Sequence, residues 1–189
     1  MDWAQILIGT GVGAVIFFVW NAIAWMGLQH HKADYVPLPN AAEVADALAR
    51  VPPTGAFYAL PHFAAYEKGL NDPAFDARMR QGPNAMIVRF ESGPAMQGKT
   101  FGQGFAINLT EAFCCSLAVA FAGAKLTGWG PHVLLTVGMG VFACVAVYFA
   151  LSVWAQIPWR FAFSNTFDKV IGYGLVGTAL YFLGVSGAG

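Results

Sequence analysis

The sequence predicts an all-α membrane protein: four transmembrane helices, with a small α/β extramembrane insertion between helices 1 and 2. Three observations carry that expectation. Of the 189 residues, 57% are hydrophobic and 11% charged, against about 25% charged in soluble domains, so lipid replaces water as the main solvent. The apolar residues gather in four long runs separated by the charged stretches. Trp25, Tyr35, Trp154 and Trp159 mark one set of run ends and Trp3 and Trp129 the other, as expected of amphipathic rings that favour headgroup depth.

No charge falls between Gln5 and Gly27, a run longer than the roughly 20 residues needed to cross a bilayer core. Ala22-Ile23-Ala24 resembles a signal-peptide cleavage site, but a secretory h-region spans only about 7–15 residues and follows basic residues, which are absent here. Residues 1–28 therefore read as an uncleaved first transmembrane helix. Phe105 to Ala124 supplies the second, with Glu111 as its one charge, and Val133 to Trp154 the third. The fourth is the glycine-rich, charge-free run from Val170 to Val185. Residues 105–189 then form a three-helix transmembrane region, with an aromatic loop at 155–169 lying along the interface and Arg160 snorkelling to water.

Four spans put both termini on one side. Lys32, Arg89, Lys99, Arg160 and Lys169 flank the span ends of the opposite side, against Lys125 alone on the terminal side. The positive-inside rule then places the insertion in the cytoplasm and the protein in a bacterial inner membrane.

The insertion, residues 29–104, opens with Asn40-Ala41-Ala42-Glu43, the spacing of a capping box. Val44, Leu48 and Val51 follow at helical spacing until Pro52-Pro53 stops the helix. Gly55 to Leu60 reads as a short strand, Asp72-Pro73 as the start of a second helix, and Ala85 to Glu91 as a strand that sets Met86, Val88 and Phe90 against Ile87, Arg89 and Glu91. Such a module is too small to bury much surface alone; it is expected to rest on the bilayer or on a neighbouring protein.

Ten basic residues balance ten acidic ones, so there is no basic field for nucleic acid. Three cysteines in apolar runs give no disulfide framework, and no Walker, CxxC or Ser/His/Asp arrangement supports nucleotide or hydrolase chemistry. No catalytic residue and no cofactor is expected beyond lipid contacts. Haem or pigment ligation would need a histidine within a span, and none sits centrally.

His30 and His31 stand where the first span meets its first charges. They read as headgroup-facing residues, favoured by the negative C-terminus of the helix. A metal reading is the alternative. If the helix persists, His30 and Asp34 share a face at i and i+4, and His62 is the third candidate ligand. Glu111 is the other informative residue, because a carboxylate inside a membrane needs a partner or a function. Asn21 falls at similar depth, with Asn108 and Thr110 nearby and Lys169 at the same edge, and these form with it a candidate intramembrane polar cluster, read as a helix-fixing knot or as a proton-carrying site. Gly9 and Gly13, Gly138 and Gly140, and Gly174 and Gly177 read as flat faces for close helix approach; the GxGxxG match at Gly172–Gly177 has no strand before it and carries no nucleotide meaning.

The expected function is that of an accessory, non-catalytic subunit packed on a larger membrane complex, such as a redox or photosynthetic one, with other integral membrane proteins as partners. The alternatives are a small oligomeric proton-coupled transporter using Glu111 and a membrane-edge metal-binding protein.

Overall fold

The computed structural model describes residues 2–52, 57–62, 72–90, 92–94 and 97–185. The chain is mostly helical and carries a two-stranded sheet. Three helices are long and apolar enough to cross a membrane: α1 (Trp3–Gly27), then, after two short helices, α4 (Gly98–Ala122) and α5 (Trp129–Trp154). Asp2 caps α1 by accepting from the backbone N–H of Ala4 at 2.9 Å and of Gln5 at 3.3 Å. The last five residues of α1 and Val145–Phe149 within α5 wind as π-turns.

The final helix, α6 (Trp159–Phe182), differs from expectation. The stretch 155–169, expected as an interfacial loop, is helical from Trp159 onward and continuous with the run expected as the fourth span. The reason is local. Pro158 precedes the first helical residue, where its missing N–H does no harm, and no glycine or proline follows before Gly172. Asn165 and Thr166 turn back to donate to the carbonyls of Phe161 and Ala162 at 2.8 and 2.7 Å, so they do not break the helix. The polar first half of α6, with Arg160, Asp168 and Lys169, keeps it less apolar than the other three.

The chain divides into two units, Met1–Val36 with Met96–Gly189, and Pro37–Ala95. In the first, α1 packs on α4 and α6, and α5 packs on α6. Ile6, Phe17, Val119, Val176 and Leu180 form its buried core. Glycines set the helix spacing at particular points. A Cβ on Gly13 would come within 2.9 Å of Ala112 Cβ, one on Gly9 within 2.7 Å of Leu180, and one on Gly140 within 2.9 Å of the Tyr173 ring. Gly177 is the tightest, since its Cβ would collide with Thr136 Oγ1 and also lie 3.0 Å from the backbone of His132 and Val133. Gly138 and Gly174 do not set spacing within the bundle: a Cβ on the first would meet nothing within 4 Å, and one on the second would meet Val137 at an ordinary 3.6 Å. Gly172, by contrast, lets Trp20 approach, at 3.0 Å from its would-be Cβ.

In the second unit, α2 (Ala41–Ala49) ends before Pro52 as expected, but the capping box does not form. Asn40 has φ 55° and its side chain makes no cap hydrogen bond, because a side-chain cap needs an extended N-cap backbone. Asp72 does cap α3 (Pro73–Gln81), accepting from Ala74 N at 3.0 Å. Strands β1 (Phe57–Leu60) and β2 (Ala85–Val88) pair antiparallel, Phe57 opposite Val88 and Leu60 opposite Ala85. Gly55, Ala56 and Glu91, expected at strand ends, lie outside the described residues.

Replacing Gly177 by Ala is expected to lower stability by about 1–3 kcal/mol, because backbone cannot yield as a flexible side chain can, whereas Gly138→Ala, with open space for its Cβ, is expected to raise it by about 0.5–1 kcal/mol through helix propensity. Thermal unfolding of the two variants in one detergent tests the contrast.

Candidate metal centre

Just past the end of α1, Gln29 turns the chain through a left-handed conformation (φ 53°), and His30–Asp34 wind as a 3₁₀ turn. In that winding, residues i and i+3 eclipse. His31, not His30, therefore meets Asp34, with Nδ1 2.8 Å from Oδ2. The expected pairing of His30 with Asp34 required an α-helix that the chain does not make here. Trp25, from the π-turn before it, stacks on the His31 ring at 3.9 Å and 10°, which fixes the ring plane.

The partner from across the bundle is Asp168 of α6. Its Oδ2 lies 2.6 Å from His31 Nε2 and its Oδ1 2.8 Å from His30 Nε2. Trp20 Nε1 donates to the Asp168 carbonyl at 2.8 Å, a contact that the closeness of α1 to Gly172 allows. One ligating atom from each of His30, His31 and Asp168 falls within 4.8 Å of the others. Asp34, its side chain fully buried, is held in turn by Arg160 Nε at 3.2 Å and by the Ser164 hydroxyl, which donates at 3.3 Å.

Two features of this geometry point to a cation. A neutral imidazole has one N–H to offer, yet both nitrogens of His31 face carboxylate oxygens; one contact needs a second proton or a metal ion. Further, His30 Nε2 and Asp168 Oδ1 are close but misaligned, and neither completes a hydrogen bond among the described residues, although both atoms are buried. Against one guanidinium stand two carboxylates, a net negative charge before the imidazoles are counted. Two ligands each about 2.0–2.1 Å from a tetrahedral ion stand roughly 3.3 Å apart, so to admit one the 2.6 and 2.8 Å contacts must open while the widest pair of the set, within 4.8 Å, closes. In that arrangement Asp34–His31 is the carboxylate–histidine pair that sets the tautomer and orientation of a metal-bound ring.

Of the ligands expected from sequence, His30 is present in the cluster and Asp34 supports it. His62 is exposed and belongs to the other unit. Asp168 was missed because it fell in the supposed interfacial loop. Its signal was there, since Arg160, Ser164 and Asp168 recur at i, i+4 and i+8, one polar face of a continuous helix.

Separate from this site, Lys169 Nζ donates to Glu111 Oε1 at 2.6 Å, each side chain about a fifth exposed. Asn21 donates to Asn108 at 3.2 Å. Thr110 does not join them, its hydroxyl turning back to the Ala106 carbonyl of its own helix. Consecutive residues of α6 thus serve two places: Asp168 the histidines, Lys169 the carboxylate of α4.

Glu111→Gln is expected to destabilise the bundle by about 1–3 kcal/mol, less than the roughly 3–5 kcal/mol of a fully buried pair, because each side chain remains about a fifth exposed. Adding Lys169→Met should restore most of that loss, as read by thermal unfolding in a double-mutant cycle. No known family, curated protein or solved structure matches this chain.

Proposed function

We propose that this is a multi-pass membrane protein that holds one divalent transition-metal ion at the bilayer edge, with His30, His31 and Asp168 as ligands and Asp34 as the orienting carboxylate. The observation that carries the reading is the convergence of those three donors, within 4.8 Å, from two separate parts of the bundle. Two imidazoles and a carboxylate suit zinc, iron and their neighbours, whereas magnesium and calcium favour oxygen donors alone. Three protein ligands leave a coordination position open. His30, a quarter exposed, provides the approach for an incoming ion or for a molecule bound to it. In this reading α6 crosses the bilayer as a fourth span from headgroup depth at Asp168 and Lys169, and the basic span flanks support a cytoplasmic insertion in an inner membrane.

A second reading, the accessory subunit of a larger membrane complex, is favoured by one observation. A groove of about 500 Å³ runs between α5 and α6, lined by Leu134, Gly138, Met139, Phe142 and Tyr173, and the open space beside Gly138 suits a partner's helix. The ion pair of Glu111 with Lys169 favours a packing role for that carboxylate over proton transport.

Metal-stripped protein in detergent, titrated with Co²⁺ and with Zn²⁺, is expected to bind one equivalent per chain. His31→Ala and Asp168→Asn should abolish binding, and Asp34→Asn should weaken it about 10–100-fold, while His62→Ala leaves it unchanged. Substoichiometric binding, or full binding by His31→Ala, overturns the reading. Purification from native membranes under mild detergent tests the second: stoichiometric co-purifying membrane proteins support it, a partner-free chain rejects it.

A further inference from the structure

The hairpin of the second unit wears its apolar side outward. Cross-strand pairing sets Phe57 opposite Val88 and Ala59 opposite Met86, so these residues share one face of the two-stranded sheet; Phe90, two residues past the end of β2, is a further exposed apolar side chain beside it in sequence. Phe57 is 70% exposed, Met86 51%, Val88 40% and Phe90 80%. On the other face the central pair is partly covered: Tyr58 and Ile87 are half-buried, while Leu60 and Ala85 at its end are exposed; Tyr58 donates through its hydroxyl to the Pro52 carbonyl, and Arg89, just beyond β2, is half-buried and donates to that of Val51. Neither α2 nor α3 contains a buried residue. A strand pair built for water would show the reverse pattern, and a contiguous apolar face of this kind marks a contact surface.

Which surface it meets follows from how the unit is attached. It begins directly after Val36, at the end of the segment that follows α1, and its chain re-enters at α4 from Gly98. The lead-in is apolar and open too, with Tyr35, Val36 and Leu38 exposed. A module held at both ends beside the bilayer meets the lipid interface at a high effective concentration, with no partner to be recruited. Water in the headgroup region satisfies the open strand edges, which the hydrocarbon core would not.

We infer that the face formed by Phe57, Met86 and Val88, with Phe90 beside it, beds into the headgroup–acyl boundary of the same bilayer that the helices cross. The inference is independent of the metal reading.

The test uses the full chain with Cys114, Cys115 and Cys144 replaced by Ser, reconstituted in nanodiscs of phosphatidylcholine and phosphatidylglycerol. A bimane label is placed through Met86→Cys, Phe90→Cys or, as the control on α3, Arg80→Cys. Lipids bearing a spin label near the headgroup should quench the first two by about twofold or more, with little effect at the control, as expected for burial about 5–10 Å into the interface. Equal quenching at all three sites, or none at Met86 and Phe90, overturns the inference; the latter is the result expected if the face waits for a protein partner. The natural chain gives a second readout. A photoreactive lipid in the same nanodiscs should crosslink to residues 85–90, and crosslinks confined to the helices of the other unit overturn the inference even if the cysteine variants misfold.

Discussion

A carboxylate taken out of water has to be met by cations or N–H groups, and in this bundle Asp168 is where that requirement acts. It is 5% exposed on the packed side of α6, and an unmet charge there would cost several kcal/mol. The solution draws on three places at once. His30 and His31 come from the turn after α1, Trp20 holds the Asp168 backbone carbonyl from within α1, and Gly172 provides the room that lets α1 come close enough. The end of α1 is therefore anchored by polar contacts, while its beginning is held by packing around Gly9 and Gly13.

The same helix distributes its charges so that neighbouring side chains serve different clusters. Asp168 faces the histidine turn and Lys169 faces Glu111 on α4, about 100° round the helix as successive residues must be. Three of the four long helices are thus tied by polar side chains near one end, while α5 is held to α6 by close glycine contacts at Gly140 and Gly177. In lipid, where apolar surfaces gain little by meeting each other, close backbone approach and polar pairs are the available sources of specificity. This bundle uses both, at separate points along α6.

The second unit follows a different rule. Its helices bury nothing among the described residues, and its hairpin presents phenylalanine and methionine outward. The alternation legible in Ala85–Glu91 is the period of a strand, and the strand forms over Ala85–Val88, with Arg89 and Phe90 beyond its end. What the alternation did not say was which side faces a covered surface, because period fixes that side chains alternate and not which of the two faces is buried.

Hydropathy alone marked the three helices long and apolar enough to cross a membrane, since the cost of placing a charge or a bare peptide group in hydrocarbon is incurred residue by residue and shows in any window of sequence. Proline and aspartate signals likewise placed α3 and the end of α2. The sequence also marked His30, His31 and Glu111 as residues needing an explanation. Only the tertiary structure decided what they do. The 3₁₀ winding, a matter of a few dihedral angles, chose His31 over His30 as the partner of Asp34. The continuation of α6 through residues 159–169 brought Asp168 and Lys169 onto the bundle and left His62 in the other unit. Partner choice of this kind depends on how closely two helices approach and on their relative rotation, which are set jointly by Gly172, Trp20 and the packing around them, and no single stretch of sequence contains that information.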